Sequence, residues 1–136
     1  MPNLPSPDEK RKVLHDPSTS ADTLNRLADD FRAADRLGET LEMLAVTRDE
    51  KRLRALRELA ISRGEVFVLT QTERFLGDEA SAKDWMAAGE KALSEERFRQ
   101  AEAAFLRAGD EEKAAGAAEK IPAAPKSRPE KAVEAD

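Results

Sequence analysis

The chain is 136 residues long, enough for one domain, or one domain with tails, and for a modest core. With 40% hydrophobic and 38% charged residues, six glycines, no tyrosine and no cysteine, it reads as a charged helical protein, and disulfides, thiolate metal sites and cysteine nucleophiles are excluded. A formal net charge of −5 argues against a general affinity for phosphate backbones.

The N-terminal stretch MPNLPSPDEKRKVLH has no apolar run of signal-peptide length, and no later segment approaches the ~20 apolar residues of a membrane span. The expectation is therefore a soluble cytoplasmic protein with no membrane partner and with nucleic acid disfavoured. Residues 1–19 read as an extended arm in which Asp8 to Leu14 form a helical turn or two before HDPSTS interrupts. Ser20 is placed to accept backbone N–H bonds as the N-cap of a helix beginning near Ala21.

From Ala21 to about Glu119 apolar residues recur at helical spacing. The one strand-like stretch, EVFVLTQ at 65–71, sits among neighbours of helical period and reads as helix. Breaks fall near Ala34-Asp35, Arg48-Asp49, Arg63-Gly64, Gly77-Asp78, Ser94-Glu95 and Gly109-Asp110, which leaves six helices of about 11 to 15 residues and a shorter seventh. Connections this short make consecutive helices antiparallel. Residues 121–136, IPAAPKSRPEKAVEAD, hold three prolines among Lys, Glu and Ala and read as a disordered tail outside a domain spanning 20–120.

The domain repeats itself. Steps of 32 and then 29 residues back from Trp85 reach Leu53 and Leu24; the same steps connect Ala88, Leu56 and Leu27, and Ala92, Ala60 and Phe31. In the second helix of each pair they connect Phe98, Val66 and Leu37, then Ala101, Leu69 and Thr40, then Ala108, Leu76 and Thr47, and finally Asp110, Asp78 and Asp49. The match fails at Phe105, whose counterparts are Glu73 and Leu44. Two helices per ~30–34 residues is the period of a stacked hairpin array in which each unit exposes an apolar face that only its neighbour can cover. Gly89 and the surrounding alanines are expected to let helix backbones approach closely, with Trp85, Phe98 and Phe105 filling the spaces between hairpins. The short segment DEEKAAGAAEK reads as a polar capping helix or as the first helix of a fourth hairpin completed by another chain.

Residues 82–115 resemble a tetratricopeptide repeat. Trp85, Ala88, Gly89 and Ala92, followed by Ala101 and Phe105, fall on the family's W-x2-L-G-x2-Y and A-x3-F pattern, with Ala88 and Ala92 in place of the leucine and the aromatic and Lys113 where proline would fall. The two earlier hairpins match in spacing and apolar class; they are degenerate repeats of this family or generic α-solenoid hairpins. The resemblance implies an all-α, right-handed α-solenoid of about three antiparallel hairpins with a C-terminal capping helix. It also implies a concave groove lined by the first helix of each hairpin. Carried over, its lining is Asp22, Asn25 and Asp29 in the first hairpin, Lys51, Arg54 and Glu58 in the second, and Lys83, Met86 and Glu90 in the third. Each set has i, i+3, i+7 spacing and so lies along one stripe of its helix.

Little in the residues suggests catalysis. His15 is the only histidine and lies beside the proline-rich arm without a nucleophile at readable spacing. The acidic pairs Asp29-Asp30, Glu95-Glu96 and Glu111-Glu112 lack the alternating oxygens and turn glycine of a calcium loop, and no phosphate-binding glycine loop or G-x-S-x-G occurs. No cofactor and no metal are expected. The functional expectation is a non-catalytic protein-interaction module or adapter that grips a peptide or protein of mixed charge through Asn25, Asp29, Lys51, Arg54, Glu58, Lys83, Met86 and Glu90. Two alternatives remain: a scaffold subunit that stacks through its terminal hairpins, and a nucleic-acid accessory protein using the basic run at 48–63.

Overall fold

The computed structural model describes residues 4–123, which form eight helices and no strand. They are α1 (Pro7–His15), α2 (Ala21–Ala33), α3 (Leu37–Thr47), α4 (Glu50–Arg63), α5 (Val66–Leu76), α6 (Ala82–Ser94), α7 (Phe98–Ala108) and α8 (Glu111–Glu119). EVFVLTQ is helical from Val66 onward. Of the expected C-terminal tail, residues 124–136 lie outside the described residues. No described helix is long and apolar enough to cross a membrane.

Capping follows a division of labour written in the side chains. The first helix of each pair, α2, α4 and α6, opens on Ser20, Asp49 or Ser81, whose oxygen accepts the N–H of Thr23, Arg52 or Asp84. The second helices, α3, α5 and α7, open on Arg36, Glu65 and Arg97 without a side-chain cap. Their entry is set by the preceding corner instead. There the N–H groups of Arg36, Glu65 and Arg97 donate to Phe31, Ala60 and Ala92 carbonyls, each at 2.9 Å, a link typical of a helix closing through a left-handed residue.

Those left-handed residues are the clearest trace of the repeat. Asp35, Gly64 and Glu96 have φ of 65°, 65° and 62°; Arg48, Gly77 and Gly109 have 55°, 65° and 84°. Both trios are separated by 29 and 32 residues, the intervals that relate the apolar positions. Three hairpins therefore share one local chain path, although glycine occupies only half of the positions that favour it.

Within each hairpin α2 packs on α3, α4 on α5 and α6 on α7. Between hairpins α3, α5 and α7 pack in succession and α4 packs on α6, while α8 packs on α7. The main core runs from α2 to α7 around the fully buried Phe31, Leu53, Leu56, Leu69 and Trp85. A smaller cluster joins Ala92, Phe105, Ala114 and Ala117 between α6, α7 and α8. The N-terminal arm is more ordered in shape than its prolines suggest. Ser6 and Glu9 form a reciprocal capping box around α1, Leu4, Val13 and Leu14 pack against the core, and Lys10 reaches Glu39 and Glu42 of α3 at 3.2 and 2.8 Å.

Two packing expectations are revised. Gly89 clears space for a ring, not for a backbone, since a Cβ there would sit 2.7 Å from Cε1 of Phe105. The close backbone approach is at Gly64, where a Cβ would lie 2.7 Å from the Ala92 nitrogen and 2.9 Å from the Ala88 oxygen. The small residues of α6 thus receive the α4–α5 corner. Phe98 is only half-buried, because it opens α7 at the edge of the bundle beside Ile121 and Pro122.

Candidate functional site

Stripes of α2, α4 and α6 carry the residues nominated from sequence, and the fold treats them unequally. Asn25 is buried: its Nδ2 donates to Asp49 Oδ2 at 3.2 Å and its Oδ1 has no hydrogen-bond partner among the described residues. Asp29 accepts two hydrogen bonds of 2.9 Å from Arg52, and that guanidinium holds its carboxyl below the usual carboxylate range. Arg54 bonds to Glu50 at 3.0 Å and to Asp78 at 3.2 Å. Met86 is half-buried against the α6–α8 cluster, and Glu90 is paired with Lys113 of α8. A free ring of nominated side chains is therefore not what the structure presents. Lys51, Glu58 and Lys83 are exposed and have no ion-pair partner among the described residues.

The pairings have a structural logic. Asp49 and Asp78 occupy equivalent places after the left-handed residue, and both are met by arginines of α4. Arg52 Nη1 reaches Asp49 at 3.1 Å, and Arg57 Nη2 reaches Asp78 at 2.9 Å while its Nη1 caps the Asp78 carbonyl at 2.9 Å. Arg57 and then Arg54 hold the Asp78 carboxyl below its ordinary value. Arg97 ties the second and third hairpins together by donating to the carbonyls of Arg63 and Gly64 at 2.7 and 2.8 Å. Most arginines of the basic run are thus engaged with this chain's own carboxylates and carbonyls.

What stays open is a depression of about 300 Å³ between α2 and α4, lined by Asp29, Arg32, Lys51, Arg52 and Ala55. Arg32, outside the nominated set, joins Lys51 there and likewise has no ion-pair partner among the described residues. Its signal was faint: Arg32 lies three residues beyond Asp29, on the edge of the nominated stripe. His15 is exposed at the end of α1. Among the described residues no three His, Cys, Asp or Glu side chains are grouped to hold a metal ion. Of the acidic pairs, Asp29 is bound to Arg52, and Glu95 to Lys91 and Arg97 at 3.1 and 2.7 Å.

No protein-family model, curated protein or solved structure matches this chain.

Proposed function

We propose that this chain is a non-catalytic protein-interaction module, a tetratricopeptide-like α-solenoid of three hairpins that grips an extended segment of a partner along its first helices. One observation carries the reading. Lys51 and Lys83 stand at equivalent positions of α4 and α6, two helices in direct contact, and both are exposed without an ion-pair partner among the described residues. Helices in contact lie roughly 8–10 Å apart, and an extended chain advances about 3.3–3.6 Å per residue. Two lysines at that separation suit acidic side chains about three residues apart on a partner, with Arg32 beside Lys51 available to the same carboxylate.

The alternatives draw less support. End-on stacking needs bare terminal faces, whereas Leu4, Val13 and Leu14 of the N-terminal segment pack against the core and α8 turns Glu111, Glu112 and Glu119 to solvent. A nucleic-acid role for 48–63 needs a cluster of free cations, and with Arg52, Arg54, Arg57 and Arg63 bound to Asp29, Asp49, Glu50, Asp78 and Asp35 only Arg48 and Lys51 of that run lack a carboxylate partner among the described residues. The test is affinity capture from the native host with the wild type and with Lys51→Glu/Lys83→Glu. The expected result is loss of a specific partner at unchanged helicity. Capture of the same proteins in the same amounts by both would overturn the proposal.

A further inference from the structure

The second helices hold a surface of a different kind. Between α3 and α5 runs an open groove of about 580 Å³ walled by Gly38, Leu41, Ala45, Phe67, Gln71 and Phe75. Phe67 is 65% exposed, the most exposed large apolar side chain among the described residues. Its repeat counterparts are Gly38 and Arg99, so packing within the array does not call for an aromatic there. Phe67, Gln71 and Phe75 are spaced i, i+4, i+8, which sets the two rings about 12 Å apart along one face of α5. Opposite them Gly38 and Ala45 keep the α3 wall low, and a Cβ at Gly38 would meet nothing within 4 Å. A slot between two helices with such a face accepts the side-chain ridge of a third helix.

Charge around the slot is uneven. Along its α3 rim Glu39 and Glu42 are neutralised by Lys10 and Arg36. At the Phe75 end the Arg48 guanidinium lies 4.4 Å from the ring centroid and gives its Nε to the Ala45 carbonyl at 2.7 Å, with no carboxylate partner among the described residues. The uncompensated charge of the groove is therefore positive and sits at one end.

We infer that the α3–α5 groove is a second docking surface, whose occupant is a short amphipathic helix of a partner protein with apolar side chains at i, i+4 and i+7 and an acidic residue at the end that meets Arg48. The surface is built on the second helices and does not depend on the lysine stripe of the first. A second copy of this chain is a poorer occupant: the exposed large apolar residues among those described, Val46, Phe67 and Leu106, are divided among α3, α5 and α7, so no helix offers such an apolar face.

The probe is a fluorescein-labelled 12-residue peptide with leucines at i, i+4 and i+7 and two glutamates at one end, titrated against the full chain by fluorescence anisotropy. Its control carries lysines in place of the glutamates. The expected result is saturable binding of the acidic probe, weakened about tenfold or more by Gly38→Leu, which adds bulk to the low α3 wall where a Cβ meets nothing within 4 Å, and also by Phe67→Ser, which removes an exposed ring. The lysine control binds about fivefold more weakly, the scale of one exposed ion pair, and Arg48→Gly erases that difference. The inference is overturned by no saturable binding, by affinities unchanged in both groove variants, or by equal affinity for the two peptides. Light scattering that shows self-association abolished by Gly38→Leu assigns the groove to a second copy and overturns it as well.

Discussion

The indole Nε1 of Trp85 donates a hydrogen bond of 3.1 Å to the carboxylate of Glu73, joining the third hairpin to the second inside the core. The same carboxylate accepts the Ala80 N–H at 2.7 Å and Arg107 Nη2 at 2.8 and 3.0 Å, and the Arg107 guanidinium in turn lies 4.4 Å from the centroid of the Trp85 ring. Glu73 stands where the third hairpin has Phe105. A buried carboxylate is tolerated there because the loop before α6, α6 itself and α7 each supply it a donor.

Trp85→Phe keeps most of the apolar volume and removes one donor, so it should destabilise by about 1–3 kcal/mol. Trp85→Ala adds a cavity and should cost about 3–5 kcal/mol. Because the indole and the carboxylate share one network, Trp85→Phe combined with Glu73→Leu should cost less than the two single changes summed. Urea unfolding followed by circular dichroism measures all four; strict additivity would show that the bond contributes nothing.

The two glycines Gly64 and Gly77 share a φ of 65° and differ in surroundings. Gly77→Ala should cost only the left-handed strain of about 1–2 kcal/mol, since nothing lies within 4 Å of its added Cβ. Gly64→Ala should cost clearly more, because its Cβ runs into the α6 backbone, which cannot rotate away as a side chain can. Equal shifts in melting temperature for the pair would contradict the close approach.

Glu96 occupies the position equivalent to Gly64, has φ of 62° and is exposed. Glu96→Gly should therefore leave stability unchanged or raise it by up to about 1 kcal/mol, the relief of left-handed strain outweighing the added freedom of the unfolded chain. A thermal melt that falls by several degrees would count against this.

Acid sensitivity should originate in the inter-helix carboxylates. Asp29, through the hydrogen bonds of Arg52, and Asp78, through those of Arg57 and then Arg54, have folded-state pKa values below the unfolded one. A lowered folded pKa contributes stability that is fully present above the unfolded value, near pH 4, and is lost as pH falls through the folded value. Stability should thus be level from pH 7 to about 5 and decline below about 4. Arg52→Met should flatten the decline, although both partners are too exposed for a large effect. Denaturant midpoints at pH 3 and pH 6 for wild type and variant supply the comparison.

Helix content was legible because apolar residues at 3.6-residue spacing and capping residues such as Ser20 and Asp49 act through neighbours a few positions away. The same local physics marked the hairpin corners, even where Asp35, Arg48 and Glu96 replace glycine. The role of α1 was less legible: a prolyl arm gives no hint that Val13 and Leu14 have a core to rest on. Which charges of the nominated stripe stay unpaired was not legible, because counting positions along a helix does not tell which charge a neighbouring helix will claim.

By itself, then, the order of residues determined the period of 29 and 32, the helices and their ends, since these rest on interactions within a turn or two of chain. Pairs within a turn, such as Arg54 with Glu50, follow from spacing along α4, whereas tertiary structure alone decided that Asn25 and Glu73 are buried, that Asp29 and Asp78 also claim Arg52, Arg54 and Arg57, and that Phe67 faces water. The deciding contacts, from Trp85 to Glu73, from Arg52 to Asp29 and from Arg107 to Glu73, join residues twelve to thirty-four positions apart, and such distances exist only once the hairpins have packed against one another.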